Sequence, residues 1–145
     1  MEKVQKRATK LIVSLKHLPC TERLKQLKLP TSKYRRLHGN MIEVFKLVHN
    51  YYDLEAAVNL NFSTCSVTSR VNMYKLQKFN CHYNLRKYSF SSRVVNLWNS
   101  LPNDVVEVDS INIFKNRLDK YWTNQEVFYD FNADISGTGD LPICI

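Results

Sequence analysis

Glycine is scarce in this chain, and the scarcity removes the motifs of several enzyme classes. Only three of the 145 residues are glycine, at positions 39, 137 and 139. A phosphate-binding loop and a dinucleotide-binding fingerprint both need closely spaced glycines, because only a residue without a Cβ lets the backbone approach a phosphate. The Gly-x-Ser-x-Gly elbow of hydrolases and the His-Glu-x-x-His helix of zinc proteases are missing as well.

Clustered carboxylates are also missing. A polymerase or nuclease that works through two metal ions needs acidic side chains that hold the ions about 4 Å apart. The stretch Tyr51-Tyr52-Asp53-Leu54 offers one aspartate where such a turn would need two, and the other acidic residues are mostly isolated. We therefore expect no catalytic residue, no metal site and no cofactor.

The cysteines are few and unpaired in sequence. They stand at positions 20, 65, 81 and 144, form no Cys-x-x-Cys motif and follow no hydrophobic signal sequence. This pattern predicts a reducing intracellular setting, either nucleus or cytoplasm. A zinc site that combines Cys65, Cys81 and His82 with Cys20 or a distant histidine is the alternative, but the spacing is not that of a zinc knuckle.

Long apolar runs are absent, and no segment approaches the roughly 20 residues needed to cross a bilayer. We therefore expect no membrane partner. The basic, amphipathic first ten residues are compatible with a mitochondrial presequence, but Glu2 and the lack of serine there argue against it.

Positive charge is abundant and unevenly distributed. The net charge is +8, with twelve Lys and Arg against three acids in residues 1–46, six against none in residues 70–93, and three against eight in residues 94–145. Such asymmetry indicates a polyanionic partner, because each Lys or Arg that neutralises a phosphate releases bound counterions. The simpler alternative is an ordinary solvated surface.

Helical periodicity dominates the pattern of apolar residues. A first helix is predicted over 3–16, with Val4, Ala8, Leu11, Ile12 and Leu15 as its apolar stripe, and a short helix over 22–27. The longest helix, 34–50, has the best apolar stripe: Tyr34, Leu37, Met41, Val44, Phe45 and Val48. Ser110 is predicted to cap a last helix that runs to Trp122 and shares one apolar face.

The stretch from Asn84 to Pro102 is predicted to organise the fold. Within it Phe90, Val94, Leu97, Trp98 and Leu101 fall on one helical face, and Ser92, Asn96, Asn99 and Ser100 fall on the other. Pro102 ends the helix because it has no amide hydrogen to donate.

These patterns predict a mainly α, small single-domain helical bundle. A short β-hairpin is expected near residues 71–85, turning around Phe79 to Cys81, because apolar and polar residues alternate loosely there. An acidic connector follows at 103–109. We place the domain over 1–122 and expect residues 123–145 to form an acidic, flexible tail, pinned by Phe128, Tyr129 and Phe131.

Cations interleaved with aromatic rings form the candidate site. Phosphates are tracked by Lys and Arg, and bases stack on rings, in sequence-tolerant binding to RNA or single strands. The candidate nucleic-acid-binding residues are Lys3, Lys6, Arg7, Lys10, Arg35, Arg36, Arg70, Lys75, Lys78, Tyr83, Arg86, Lys87, Tyr88 and Arg93. We expect the two basic segments to converge on one positive surface.

Several strings, in order along residues 2–122, resemble the region after the polymerase domain in non-LTR (LINE-type) retrotransposon reverse transcriptases. The strings are Val-Gln-Lys-Arg-Ala-Thr-Lys-Leu-Ile at 4–12, Leu-Pro at 18–19, Glu-Arg-Leu at 22–24, Tyr-Arg-Arg at 34–36, Met-Ile-Glu-Val-Phe-Lys at 41–46, Asn-Leu-Arg-Lys at 84–87, Phe-Ser-Ser-Arg-Val-Val-Asn-Leu-Trp-Asn-Ser-Leu-Pro at 90–102 and Phe-Lys-Asn-Arg-Leu-Asp at 114–119.

The resemblance implies a thumb-side segment that grips template RNA or a primed duplex, with a full-length retrotransposon enzyme as a further partner. It carries over no catalytic residue, because the fingers, palm and endonuclease domains of the family have no counterpart in these 145 residues. We therefore expect no polymerase activity. The alternatives are a protein-interaction module that exposes Trp98 or Trp122 on an apolar patch, and a genomic relic without function.

Overall fold

Helices make up the regular structure of the protein, as the periodicity predicts. A computed structural model describes residues 2–53, 55–63, 73–78, 83 and 89–135. The α-helices of this part are α1 (Glu2–Lys10), α2 (Cys20–Leu27), α3 (Ser32–Val48), α4 (Phe90–Asn99), α5 (Asn103–Val106) and α6 (Ile111–Tyr121). Short 3₁₀ turns occupy Val13–Leu15 and Glu126–Phe128. The prediction of a mainly helical fold is confirmed.

The chain divides into two compact units, and helix α3 contributes to each. Unit 1 contains the described residues of 2–39 and 122–135, and unit 2 contains the described residues of 40–121. Each unit has its own buried side chains, and the two are described separately.

The core of unit 2 forms around the second half of α3. Met41, Val44 and Phe45 are fully buried, which confirms this part of the predicted stripe. The ring of Phe45 stacks on that of Phe114 in α6, with 4.5 Å between the ring centroids. The indole of Trp98 in α4 lies against the same Phe114 ring. Aromatic contacts thus join three helices in one core.

Helix α4 ends at Asn99, close to the end predicted before Pro102. Ser89 caps its N-terminus, since its hydroxyl accepts a hydrogen bond from the Ser92 backbone N–H. Val94, Trp98 and Leu101 are buried as expected. Val95 is also buried, and Phe90 and Leu97 are half-buried.

Two polar groups of α4 bind a neighbouring segment through its backbone. The Trp98 indole N–H donates to the carbonyl of Tyr74, at 2.9 Å. The helical position of Asn99 predicted that its side chain faces solvent, but the side chain instead binds Leu76. Its amide N–H donates to the Leu76 carbonyl at 2.8 Å, and its amide oxygen accepts from the Leu76 N–H at 2.9 Å. This two-way pairing lets Leu76 be buried without leaving its peptide groups unpaired.

The predicted hairpin turn lies outside the described residues. In the described part of its first strand, Leu76 pairs in antiparallel fashion with Phe62, which lies outside the predicted hairpin, as an isolated bridge. Hydrogen bonds from Ser63 N to Lys75 O and from Gln77 N to Asn61 O flank the bridge. No strand longer than this bridge occurs in the described part of the chain.

The acidic connector at 103–109 contributes to the core, which its composition did not predict. Helix α5 lies within it, and Val105, Val106 and Val108 are buried. In α6, Phe114 and Leu118 are buried as expected, whereas Tyr121 is exposed. The connector is therefore a packed segment of unit 2 with its acidic side chains turned outward.

Residues 123–135, placed by the sequence in a flexible tail, pack into unit 1. Thr31 holds this segment by two hydrogen bonds: its hydroxyl donates to the Val127 carbonyl at 2.6 Å, and its N–H donates to the Phe128 carbonyl at 2.8 Å. Val127 is fully buried, and the Phe128 ring lies 4.7 Å from that of Tyr34. A boundary at residue 122 therefore does not mark the end of packed structure. Residues 136–145 lie outside the described residues.

His49 lies among aromatic rings in unit 2. Its imidazole stacks on Phe45, with centroids 4.1 Å apart, and lies 4.5 Å from the Tyr74 ring. Among the described residues, nothing hydrogen-bonds to its buried Nε2 atom. Burial lowers the pKa of His49, against the opposing effects of a hydrogen bond to the Val106 backbone and of the Asp109 charge.

The stability of unit 2 should fall as the pH drops from 7 to 5. Because the unfolded chain binds a proton at His49 near pH 6.5 and the folded chain binds it only at lower pH, acid favours the unfolded state. Urea unfolding at several pH values, followed by fluorescence and circular dichroism, measures this. A His49→Gln variant should lose part of the pH dependence, and a variant of the exposed His17, His17→Gln, should keep all of it. Equal pH dependence in both variants would contradict the assignment.

The amide of Asn99 should stabilise the fold through Leu76. Asn99→Ala removes both hydrogen bonds and leaves two peptide groups of Leu76 without partners, so the free energy of unfolding should fall by about 2 kcal/mol. The control is Asn96→Ala on the exposed side of the same helix, which should cost less than about 0.5 kcal/mol. Urea denaturation measures the free energy of unfolding of both variants. Similar losses in the two would show that the Asn99–Leu76 hydrogen bonds do not stabilise the fold.

Candidate nucleic-acid interface

Helix α1 packs with its polar side inward, which corrects the sequence prediction. The helix ends at Lys10, not at residue 16, and Thr9 is its buried residue. The predicted apolar stripe faces outward instead: Val4 is 70% exposed and Leu11 is 82% exposed. Residues Glu2, Gln5 and Thr9 share the inward side because they are spaced at i, i+3 and i+7.

The inward side of α1 caps the first turn of α3. The Glu2 carboxylate accepts from the Lys33 N–H at 2.6 Å, and the Gln5 side-chain oxygen accepts from the Ser32 N–H at 3.2 Å. Thr31 completes the cap by accepting from the Tyr34 N–H at 3.1 Å. The first N–H groups of a helix have no partner within it, and a negative charge there is also favoured by the helix dipole.

A buried arginine fixes the connection between α1 and α2. Arg23 is only 3% exposed. Its guanidinium donates to the Thr9 hydroxyl at 3.3 Å, to the Leu18 carbonyl at 2.8 Å and to the Lys6 carbonyl at 3.5 Å. It satisfies acceptors at the C-terminal end of α1 and beyond the 3₁₀ turn, so Arg23 serves the fold and is not available to a ligand.

The side of α1 that faces inward carries Glu2, Gln5 and Thr9, and the cations of the helix lie on another side, which is exposed. Lys3, Lys6, Arg7 and Lys10 are all exposed, as are Arg35 and Arg36 in α3. None of the six forms an ion pair with a described residue. We use the name basic face of unit 1 for these six residues, which comprise the four cations of α1 and the neighbouring pair Arg35 and Arg36 of α3.

None of the five acidic side chains in the described part of unit 1 forms an ion pair with this face. Glu2 is occupied by the cap of α3, Glu22 by an ion pair with Lys25, and Asp134 by Lys33, whose Nζ lies 2.6 Å from its carboxylate. Asp130 accepts from the backbone N–H of Asn132, and Glu126 is exposed. The positive charge of the basic face therefore remains available to a partner.

The second basic segment lies in unit 2. Lys78 and Arg93 are exposed and Lys75 is half-buried. The Tyr83 ring is 80% exposed. The other predicted residues of this segment, Arg70, Arg86, Lys87 and Tyr88, lie outside the described residues, as do Phe79 and Cys81. Since the two segments belong to different units, their convergence on one surface stays a prediction.

Lys46 of unit 2 shows the contrasting arrangement, a cation that is already engaged. It donates to Glu43 at 2.8 Å, and Tyr52 donates to the same carboxylate at 2.6 Å. The hydrogen bond from Lys46 holds the pKa of Glu43 below its ordinary value. Lys46 is not one of the candidate nucleic-acid-binding residues.

The structure also places the residues considered for metal binding. Within the described ranges, no three His, Cys, Asp or Glu side chains are grouped to hold a metal ion. Asp53 accepts from the Glu55 N–H and so caps a turn. Cys20 is a free thiol, and Cys65 and Cys81 lie outside the described residues.

Both tryptophans are buried, which corrects the expectation behind the alternative function. Trp98 and Trp122 are each 1% exposed, so neither lies on an exposed apolar patch. The Trp122 ring makes an edge contact with that of Tyr34 in unit 1. Burial of a tryptophan ring is strongly favoured because it removes a large apolar area from water.

No protein-family model matches the chain, and no curated protein or solved structure is significantly similar to it. In the part of the chain that the structure describes, no helix combines the length and the apolar character that crossing a bilayer requires. The chemistry of the exposed side chains is therefore the basis for inferring function.

Arg23 should be essential for the stability of unit 1. Arg23→Met keeps much of the side-chain volume but leaves the Thr9, Leu18 and Lys6 acceptors without their donor. We expect the free energy of unfolding to fall by about 2 kcal/mol or more. Lys25→Met on the exposed side of α2 is the matched control and should have little effect. Urea denaturation measures both, and an Arg23 variant as stable as the control would contradict this role.

Proposed function

We propose that this protein binds RNA or an RNA–DNA duplex without catalysis, through the phosphate backbone. The observation that carries the proposal is the basic face of unit 1, with six exposed cations and no ion pair to a described residue. Cations that stay unpaired in the folded chain keep their full charge for an external anion. A polyanion is favoured because it engages several of them at once.

The spacing on α1 supports a phosphate backbone as the ligand. Lys6 and Arg7 lie three and four residues after Lys3, and Lys10 follows them at four and three residues, so the four cations form one stripe about 10 Å long on the helix. A stripe of that length follows several phosphates of one strand. Glu2, the acidic residue of this helix, is turned inward to α3 and does not weaken the stripe.

Unit 2 adds a second element to the proposal. The exposed ring of Tyr83 and the exposed cations Lys78 and Arg93 are the combination that stacks bases and binds phosphates in single-strand recognition. The contact made by this segment is independent of the basic face of unit 1, since each segment carries its own cations.

The sequence resemblance extends the proposal to origin. We propose that the chain derives from the thumb-side region of a non-LTR retrotransposon reverse transcriptase and acts inside the cell, in the nucleus or cytoplasm, where RNA is available. A full-length enzyme of that kind is a second proposed partner. The strings at 4–12 and 90–102 support this origin, and they coincide with α1 and α4, the helices that position the cations and the core.

Removing the cations of α1 should weaken RNA binding strongly. For a 20-nucleotide single-stranded RNA, wild-type affinity should fall about a hundredfold between 50 and 200 mM salt. Lys3→Gln, Lys6→Gln and Lys10→Gln together should reduce affinity at least about tenfold and make the salt dependence shallower by about two in the log–log slope. Fluorescence anisotropy at several salt concentrations measures both quantities.

A charge-matched control separates a specific face from general positive charge. Lys46→Gln, Lys115→Gln and Lys120→Gln together remove the same charge from residues outside the candidate set and should leave the affinity largely unchanged. Equal losses in the two triple variants would refute the assignment to the basic face. Binding that is insensitive to salt would refute the backbone contact itself.

A further inference from the structure

Unit 1 exposes an apolar tip that the proposed function does not use. The tip is formed by residues 11–13, between α1 and the 3₁₀ turn. Leu11 is 82% exposed and Val13 is 86% exposed. Side chains this exposed contact almost nothing in their own chain, and consecutive apolar residues of this kind mark an interaction site when polar groups surround them.

The tip is held in place from both sides. Before it, Arg23 binds the Lys6 carbonyl and the Thr9 hydroxyl, and after it the same guanidinium binds the Leu18 carbonyl. Backbone hydrogen bonds from Leu11 N to Ala8 O and from Leu15 N to Ile12 O shape the turn between these anchors. A buried side chain therefore presents the tip in a fixed conformation, which lowers the entropy lost when a partner covers it.

Along the chain, cations flank the tip on both sides with no acidic residue among them. Lys10 and Lys16 flank it directly, and Lys3, Lys6 and Arg7 follow along α1, all exposed. Between Glu2 and Glu22 the sequence contains no acidic residue. A partner that complements this surface has an anionic outer layer, which binds the lysines, and an apolar interior, which accepts the exposed apolar side chains.

We propose that the apolar tip is a docking site for the surface of an anionic lipid bilayer. Leu11 and Val13 enter the boundary between headgroups and acyl chains, while the flanking lysines bind lipid phosphates and carboxylates. Apolar burial and attraction to anionic lipids add in such contacts. A contact of this kind needs no membrane-spanning helix, so it differs from the membrane partner that the sequence analysis set aside.

The shape of the tip favours a bilayer over a protein or nucleic acid. Leu11 and Val13 are both more than four-fifths exposed, so a rigid protein partner would need a pocket that matches both side chains, whereas lipids rearrange around inserted side chains. A nucleic acid would use the lysines but leave the two apolar side chains in water. Leu11 and Val13 take part only in the lipid contact, whereas the lysines would take part in both lipid and RNA binding.

Vesicle co-sedimentation tests the docking site. The full chain is mixed with vesicles of phosphatidylcholine alone and with vesicles containing a quarter phosphatidylserine. Wild type should bind the anionic vesicles and not the neutral ones. Leu11→Ser with Val13→Ser should weaken binding about tenfold or more, because it removes the apolar contribution. Both positions are exposed, and circular dichroism checks that the variant is folded.

Matched controls distinguish this proposal from the proposed function. Val58→Ser with Met73→Ser changes two exposed apolar residues of unit 2 and should leave vesicle binding unchanged. Leu11→Ser with Val13→Ser should leave RNA affinity unchanged, while RNA in excess should compete with vesicles for the shared lysines.

Three results would overturn the docking site. They are no binding to anionic vesicles at 50 mM salt, anionic binding unaffected by loss of the two apolar side chains, and binding at the tip that is detected only with a protein partner. Loss of RNA affinity in the same apolar variant would assign the tip to the nucleic-acid interface instead. Failure of RNA binding by wild type would refute the proposed function and leave the vesicle result intact.

Discussion

The capping of helix α3 determines how unit 1 is built. The first N–H groups of a helix have no partner within it, and burying them unpaired is costly. Here Glu2 and Gln5 of α1 supply two acceptors, and Thr31 supplies a third. To deliver them, α1 has to turn its polar side toward α3. The exposure of Leu11 and of the lysines on α1 is therefore a consequence of satisfying backbone groups elsewhere.

The same requirement recurs where segments without regular structure are buried. In unit 1 Arg23 serves carbonyl and hydroxyl acceptors around the connection from α1 to α2. In unit 2 Asn99 pairs with both peptide groups of Leu76, and the Trp98 indole binds the Tyr74 carbonyl. Polar side chains thus hold irregular backbone against helices, and the apolar rings fill the remaining space. The candidate residue Lys75 lies in the segment that Trp98 and Asn99 hold.

Pattern reasoning succeeded where burial alone decides the outcome. Tyr34, Met41, Val44, Phe45 and Val48 of the long stripe are buried as their spacing predicts, and so are Val94, Trp98 and Leu101 of the other face. Leu37 of the long stripe is half-buried. It failed where a polar contact outweighed apolar burial, at Val4 and Leu11, and where composition concealed buried valines in the acidic connector, at Val105 and Val106. Of the candidate cations, the six on unit 1 are exposed as predicted, because charged side chains avoid burial unless paired.

The sequence by itself determined the limits of α2, α3 and α6 closely and the location of positive charge, because these depend on local periodicity and on the chemistry of single residues. Only the tertiary structure decided which side of α1 faces inward, that Arg23 is buried, and that residues 123–135 pack beside Thr31. These features depend on hydrogen bonds between residues distant in the chain, such as Thr31 and Val127. No local pattern encodes which donor will meet which acceptor, since that is fixed only when the helices pack together.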